Sequence, residues 1–259
     1  MSRANRNFLP GLIWHVTHRC HKKEFLLKFR RDKLHWLYWT LQAKIRYGLI
    51  ILNYMITSNH IHLLGTDNGK EHQAIPKALQ LMESRVAQEY NARKDRRGAY
   101  WEDRYHATAI ESGAQFVNCL TYIDMNMVRA DVVKHPREWP YCGYDELLRV
   151  PVRRTSQLVD SDLLMQLLGV KSVPELRTLR SEWIEQAIRK GQFARDPIWT
   201  ESVAVGSREF LQGIQVSLGG KMKAGEIITS DDGRGLSALR RARRPYLGTF
   251  KGEIDDLGP

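Results

Sequence analysis

Two imidazoles one residue apart, and a phenol four residues from an amide, are the groups in this sequence best suited to chemistry. The first pair lies in Asn59-His60-Ile61-His62-Leu63-Leu64, which follows the apolar run 49–56 after a Thr57-Ser58-Asn59 break. Alternate side chains of a strand share a face, so His60 and His62 project together while Ile61 and Leu63 point to the core. Such a pair is a preorganised set of metal ligands, although on spacing alone a solvated strand edge is the commoner origin of His-x-His. The second pair lies in the segment 116–130, where Phe116, Leu120, Ile123 and Met127 repeat with helical period. Tyr122 and Asn126 stack on one side of that helix, where they could reach a metal held by the histidines. Taken singly, Tyr122 reads as a boundary core residue and Asn126 as a polar residue near a helix end.

The elements that must position these groups follow from periodicity. Residues 12–19 read as a strand, and Leu34, Leu37, Tyr38, Leu41 and Ile45 mark a helix that ends before Gly48. Strands over 49–56 and 60–65 follow. Ile75, Leu79, Met82, Val86 and Tyr90 then mark a helix running toward the basic loop 93–98, with a strand over 105–111 before the Tyr122 helix. The order β-α-β-β-α-β with a further helix predicts an α+β, ferredoxin-like split βαβ domain whose antiparallel sheet has helices on one face and leaves the other for ligand. From about residue 149 the pattern becomes helical (Leu163, Leu164, Leu167, Leu168, then Leu176, Leu179, Trp183, Ala187, Ile188, with a short helix over 207–218). Residues 219–259 are rich in Gly, Lys, Arg and Asp. Three parts are therefore expected: a domain over 1–148, a helical accessory region over 149–218 and a basic, flexible tail over 219–259.

Composition narrows the partners. The formal net charge is +11, from 40 Lys and Arg against 29 Asp and Glu, and the pI is about 9.7. The cations cluster at Lys22-Lys23, 28–33, 93–97, Arg153-Arg154 and 240–244, beside seven Trp and ten Tyr. Clustered cations with aromatics suit a groove that tracks single-stranded nucleic acid and stacks on its bases, although a charge run is usually a solvated face. No stretch approaches a membrane span, and the start lacks the apolar core of a signal peptide. Cys20, Cys119 and Cys142 form no disulfide or metal spacing, which suits a reducing cytoplasm. Cys20 lies near His18 and His21, but a zinc site there lacks a fourth ligand.

The ordered combination of His60-Ile61-His62, Tyr122-x-x-x-Asn126 and Val128-Arg129-Ala130 resembles the single-tyrosine HUH transposases, in particular the REP-associated tyrosine transposases. Matching pieces are the segment 14–20, Trp101-Glu-Asp-Arg-Tyr105 and Pro136-x-x-Trp139-Pro140-x-x-x-Tyr144. The resemblance covers about residues 8–148, with a fainter echo in Asp196-Pro197 and Gly206-Ser207-x-x-Phe210. Two departures stand out: Asn126-Met127 where the family has Asn-Pro, and Cys142-Gly143 where it has two serines.

The resemblance implies the same fold, Tyr122 as nucleophile, and His60, His62 and Asn126 as ligands of Mg²⁺ or Mn²⁺. It implies cleavage and rejoining of single-stranded DNA at hairpins through a 5′-phosphotyrosine. Arg19, Arg96, Arg97, Trp101, Arg104, Tyr105 and Arg129 are the further candidates for DNA contact, while Trp139 suits the core. Arg129 serves equally as a phosphate contact or as a cap of its helix. Two other classes share the residues, a non-cutting hairpin binder and a replication-initiator or relaxase nickase. The latter often carries a helicase module, and no Gly-x-x-x-x-Gly-Lys-Ser/Thr occurs here. A homodimer and a monomer are both compatible with the sequence.

Overall fold

In a computed structural model of the chain, residues 8–69, 73–149, 157–191, 193–219, 225–229 and 236–241 are described. Strand β1 (Ile13–Arg19) leads into α1 (Arg30–Tyr47), and the hairpin β2 (Ile50–Ile56) and β3 (His60–Thr66) follows. Helix α2 (Ala74–Arg93) then precedes β4 (His106–Ile110). Helix α1 ends at Gly48, whose φ of 67° closes it in the left-handed conformation that glycine adopts without strain. These strands lie in the order β2-β3-β1-β4, the ferredoxin-like arrangement expected from the sequence.

Residues opposite one another across an antiparallel pair share a face. The pairs Arg19↔His60, Thr17↔His62 and His15↔Leu64 put His15, His60 and His62 on one face of the sheet, and Thr17↔His106 adds His106. Helices α1 and α2 pack on the opposite face, where Trp36 meets Tyr54 and His18 meets Glu83.

The face carrying the histidines is not left open, contrary to the expectation from the sequence. Helix α3 (Ala114–Asp124) crosses it, tied down by Asn53 Nδ2 donating to Asp124 Oδ1 at 2.8 Å. After α4 (Asn126–Arg129) and α5 (Gly143–Leu148), the chain builds α6 (Ser161–Leu168), α7 (Val173–Arg189) and α8 (Ile198–Glu201), and α8 also lies on this face. Residues 116–130 form two helices rather than one, with the break at Met125 (φ −75°, ψ 0°). The turn therefore forms without the family's proline, and Met127 is buried in its place.

The expected accessory region and tail also differ from the structure. Strand β5 (Ala204–Gly206), inside the expected helical region, pairs in parallel with β4. It is followed by α9 (Arg208–Leu218), β6 (Gly225–Thr229) and β7 (Ser237–Arg241), which extend the sheet to β2-β3-β1-β4-β5-β7-β6. The physical reason is burial: Leu236, Ala238 and Leu239 are 0 % exposed against the β5 side of the sheet. The rest of the expected tail, including Arg243 and Arg244, lies outside the described residues, as do Arg153 and Arg154. Among the described residues no helix is long and apolar enough to cross a membrane.

The Cys142-Gly143 departure has a local explanation. Cys142 takes a serine's capping role, its Sγ accepting from Asp145 N at 3.4 Å at the start of α5. A Cβ at Gly143 would stand 2.4 Å from Asn53 Oδ1, the residue that also anchors α3, so the position requires glycine in this packing.

Candidate active site

The turn before β3 holds the first histidine. Thr57 Oγ1 accepts from His60 N at 3.0 Å and from Asn59 N at 3.3 Å, which fixes the entry into the strand. Asn59 Nδ2 donates to Lys23 O at 3.2 Å, so its Oδ1 faces His60 Nδ1 at 2.8 Å. An amide oxygen only accepts, so His60 carries its proton on Nδ1 and keeps a lone pair on Nε2.

A relay of hydrogen bonds sets the second histidine in the same way. Trp199 O, which only accepts, lies 2.9 Å from His15 Nδ1, so that nitrogen donates. His15 Nε2, 2.8 Å from His62 Nδ1, is left to accept, and His62 Nδ1 donates to it. His62 therefore also presents an Nε2 lone pair, which accepts from Asn126 Nδ2 at 3.0 Å. Both members of the His-x-His pair end with the lone pair on Nε2, through which each could bind a metal ion, and with their Nδ1 atoms held by partners. Burial is the main reason that the imidazoles resist protonation: His15 is pushed down to about 3, His60 to about 4, and His62 well below its ordinary range. The His60 and His62 ring centroids are 5.1 Å apart.

Tyr122 stands over this pair on α3, 9 % exposed, its ring centroid 6.1 Å from that of His62 and 6.2 Å from that of His15. The turn at Met125 lets Asn126 open α4 one turn further on, so phenol and amide flank the same imidazole. Arg129 Cζ lies 4.1 Å from the Tyr122 ring centroid, a cation–π contact. Burial pushes the Tyr122 phenol above its usual range, while Arg129 and Arg195 pull against that shift. Arg129 Nη2 is buried without a hydrogen-bond partner among the described residues.

A cavity of about 440 Å³ joins these groups, lined by Arg19, His60, His62, Tyr122, Asn126 and Arg129 among others. Arg104, Arg195 and His106 also border it. A second cavity, of about 470 Å³, lies between α3, α7 and the segment 194–199 and shares Tyr122, Arg129 and Arg195 with the first.

The structure thus brings together Tyr122, His60, His62, Asn126, Arg19, Arg104 and Arg129. It does not bring in the remaining candidates. The Trp101 ring face expected to meet bases is stacked on His18 at 4.2 Å, and its Nε1 donates to Glu83 O. Tyr105 packs toward Phe8 and His18. Arg96 is held in the α2–β4 loop by Ala99 O, Asn91 and Glu24, and Arg97 is exposed in the same loop. Trp139 packs against the core, its Nε1 donating to Ile56 O.

Sequence reasoning missed His15, Trp199 and Arg195. His15 had a usable signal, because it alternates with Thr17 and Arg19 on β1 and so shares their face. Among the described residues no three His, Cys, Asp or Glu side chains group as a metal site; the set that could hold an ion here is His60 and His62 with the Asn126 amide. Two neutral imidazoles with directed lone pairs and an adjacent amide do fit a divalent ion of the Mn²⁺ kind.

No family model matches the chain, and no curated protein matches it. Among solved structures it is similar to a REP associated tyrosine transposase bound to a REP hairpin, at 16 % identity and a TM-score of 0.48, over 62 % of this chain and 93 % of that one. It is also similar to a candidate transposase from Deinococcus radiodurans R1, at 13 % identity and a TM-score of 0.32, over 50 % of this chain and 92 % of that one. At these scores the likeness adds no weight to a functional reading.

Proposed function

We propose that the chain cuts and rejoins single-stranded DNA at hairpin sequences, as a transposase-type nuclease using Tyr122. The observation that carries this reading is the convergence in one cavity of a phenol, two imidazole lone pairs and an amide, bordered by Arg19, Arg104, Arg129 and Arg195.

The cations hold a phosphodiester at the mouth of the cavity. A free phenol near pKa ~10 is almost wholly protonated at pH 7, and burial makes ionisation harder still. Arg129, stacked on the ring, favours the phenolate, and its unpartnered Nη2 can meet a phosphate oxygen. Tyr122 Oη attacks phosphorus in line, the bond to the 3′ oxygen breaks, and that oxygen leaves with a proton as a 3′-hydroxyl. The new 5′-phosphotyrosine conserves the phosphodiester energy, so a second 3′-hydroxyl can displace Tyr122 and reseal the strand without a nucleoside triphosphate. His60 and His62, through Nε2, and Asn126, through its amide oxygen once its amide turns over and releases His62 Nε2, would hold Mg²⁺ or Mn²⁺, which when bound polarises a non-bridging phosphate oxygen. The nitrogen ligands suit Mn²⁺ better than Mg²⁺, which prefers an all-oxygen shell.

The test is a denaturing gel of the protein with end-labelled hairpin oligonucleotides in Mg²⁺, Mn²⁺ or EDTA. A metal-dependent, protease-sensitive adduct is expected, lost in Tyr122→Phe while hairpin affinity stays within about threefold. Tight binding with no adduct in either metal would replace this reading with that of a non-cutting hairpin binder.

A further inference from the structure

Between β1 and α1 the chain places its residues against the usual hydrophobic order. In Phe25-Leu26-Leu27-Lys28-Phe29 the two leucines are buried, whereas Phe25 is 64 % and Phe29 60 % exposed. Two large rings in water on a ten-residue connection call for a partner with apolar faces. The backbone leading to them is also unusual. Lys22 and Lys23 both have positive φ, 50° and 61°, a conformation that non-glycine residues adopt rarely and keep only when held. It is held here by Lys23 N donating to Cys20 O at 3.1 Å, Glu24 N to His21 O at 3.0 Å and His21 N to Tyr100 O at 2.8 Å.

The charge around the rings specifies the partner. Lys28 Nζ and Lys94 Nζ each lie 5.9 Å from the Phe29 ring centroid, and Lys22, Lys23, Arg30 and Arg31 are exposed nearby in sequence. The neighbouring acids Glu24 and Asp32 are ion-paired to Arg96 and Arg93, while Asp95 offsets one charge. Exposed rings flanked by cations are the surface that single-stranded nucleic acid recognises, by stacking on the rings and pairing its phosphates with the cations. A lipid surface would find no contiguous amphipathic helix here, because the rings lie on the connection and not along a helix face.

The connection is coupled to the catalytic cavity. Leu27 N donates to Ser58 O at 2.9 Å, and one Asn59 side chain binds Lys23 O with its Nδ2 and His60 Nδ1 with its Oδ1. The loop that presents the rings therefore abuts the turn that aims the first candidate metal ligand.

We propose that the 20–29 connection, with Lys94 beside it, is a stacking platform for the unpaired DNA that extends from the cavity, with Phe25 and Phe29 taking bases and Lys22, Lys23, Lys28 and Lys94 taking phosphates. The choice of DNA rests on the proposed function; the stacking surface itself does not. The test is fluorescence anisotropy in EDTA, where no cutting occurs, with a hairpin carrying a single-stranded tail and the same hairpin without it. Phe25→Ala and Phe29→Ala are each expected to weaken binding of the tailed hairpin by about 5- to 150-fold, and Phe→Trp to restore it. Lys28→Gln is expected to lower the salt slope by about 0.7, the single-strand increment for one phosphate. Equal losses for tailed and tailless hairpins, or none for either, would overturn the platform. So would unchanged DNA affinity accompanied by loss of a dimer in light scattering, which would make the rings a self-association surface. Because the readout needs no adduct, tail-specific losses in a protein that forms no phosphotyrosine would uphold the platform and reject the nuclease reading.

Discussion

Residues 13–130 present the imidazoles, the phenol and the amide of the cavity, whereas residues 195–202 add Arg195 at its border and backbone carbonyls to the groups around it. From the first region come His60, His62, Tyr122, Asn126, Arg19 and Arg129, each placed by the register of β1 and β3 or by the turn between α3 and α4. From the second come the Trp199 carbonyl, which fixes the His15 tautomer, and the Ser202 carbonyl, which holds His106 Nε2 at 2.8 Å and accepts from Thr108 Oγ1 at 2.8 Å. In the proposed function the first region supplies the nucleophile and the candidate ligands, and the second fixes the tautomer of His15 and through it that of His62. The difference teaches that a single helical turn and the chain leading from it can complete a site chiefly through backbone carbonyls, with Arg195 as their charged side chain at this cavity, provided that they are held rigidly.

A buried ion pair ties α7, the helix that precedes the second region, to α3 of the first, and breaking it should have the largest effect. Arg180 Nη2 on α7 lies 2.5 Å from Asp124 Oδ2 on α3, both side chains being 2 % exposed, and Asp124 also accepts from Asn53 on β2. Arg180→Met removes the cation and leaves a carboxylate stranded in the interior two residues from Tyr122. A loss of about 3–5 kcal/mol is expected in urea denaturation. The double variant Asp124→Asn with Arg180→Met should recover part of it, because no uncompensated charge remains. If Arg180→Met instead split unfolding into two transitions with the first region unchanged, the two regions would be independent units, and the division of labour drawn above would fail.

Next in size is the relay itself. His15→Phe keeps a ring of similar bulk but cannot accept from His62 Nδ1, so the tautomer of His62 is no longer imposed. Mn²⁺ affinity, followed by the electron paramagnetic resonance of free ion, is expected to fall about 10- to 100-fold. In ¹⁵N-histidine NMR of the metal-free protein, His62 should move from the Nδ1–H toward the Nε2–H form, a change that lost packing alone would not produce. The same variant changes the pH dependence. Folded His15 and His60 take protons only near pH 3 and 4, against about 6.5 unfolded, so between those values the unfolded chain binds more protons. Stability therefore rises with pH from about 4 to 6.5 and is fully present above that, and His15→Phe should make the slope shallower. An unchanged slope together with unchanged Mn²⁺ affinity would remove His15 from the site.

How much of this is legible in the sequence divides along the same line. The ferredoxin-like order and the shared face of His60 and His62 follow from strand alternation, which the types Ile61 and Leu63 display directly. The pairing of Tyr122 with Asn126 survives the break at Met125 because the turn there stays near helical geometry. A carbonyl belongs to every residue, so no residue type could announce Trp199 or Ser202 as partners of histidines more than ninety positions away. The outer strands escaped for another reason. Segments 225–229 and 237–241 are short and set among Gly, Lys and Arg, and Leu236, Ala238 and Leu239 are strand-like only because the β5 edge is there to bury them. Trp101 reads as a base-stacking ring until His18 is seen to cover it.

The smallest predicted effect marks how far the influence of the second region reaches. Ser207 caps α9: its Oγ accepts from Phe210 N at 3.2 Å and donates to Glu111 Oε1 at 2.7 Å, while its backbone N donates to Glu111 Oε2 at 2.6 Å. The glycine before it has no room for a side chain, since a Cβ at Gly206 would lie 2.4 Å from Phe210 Cδ1 and 2.8 Å from Glu111 Cβ. Gly206-Ser207-x-x-Phe210 is thus a joint that fastens α9 to the end of β4, away from the Trp199 carbonyl. Ser207→Ala should cost about 1 kcal/mol in denaturant unfolding with an unchanged m value. Mn²⁺ affinity should stay within about twofold, because the relay through Trp199, His15 and His62 is not touched. A loss of Mn²⁺ affinity as large as that of His15→Phe would mean that the whole C-terminal sheet extension, and not only the segment at Trp199, sets the geometry of the histidines.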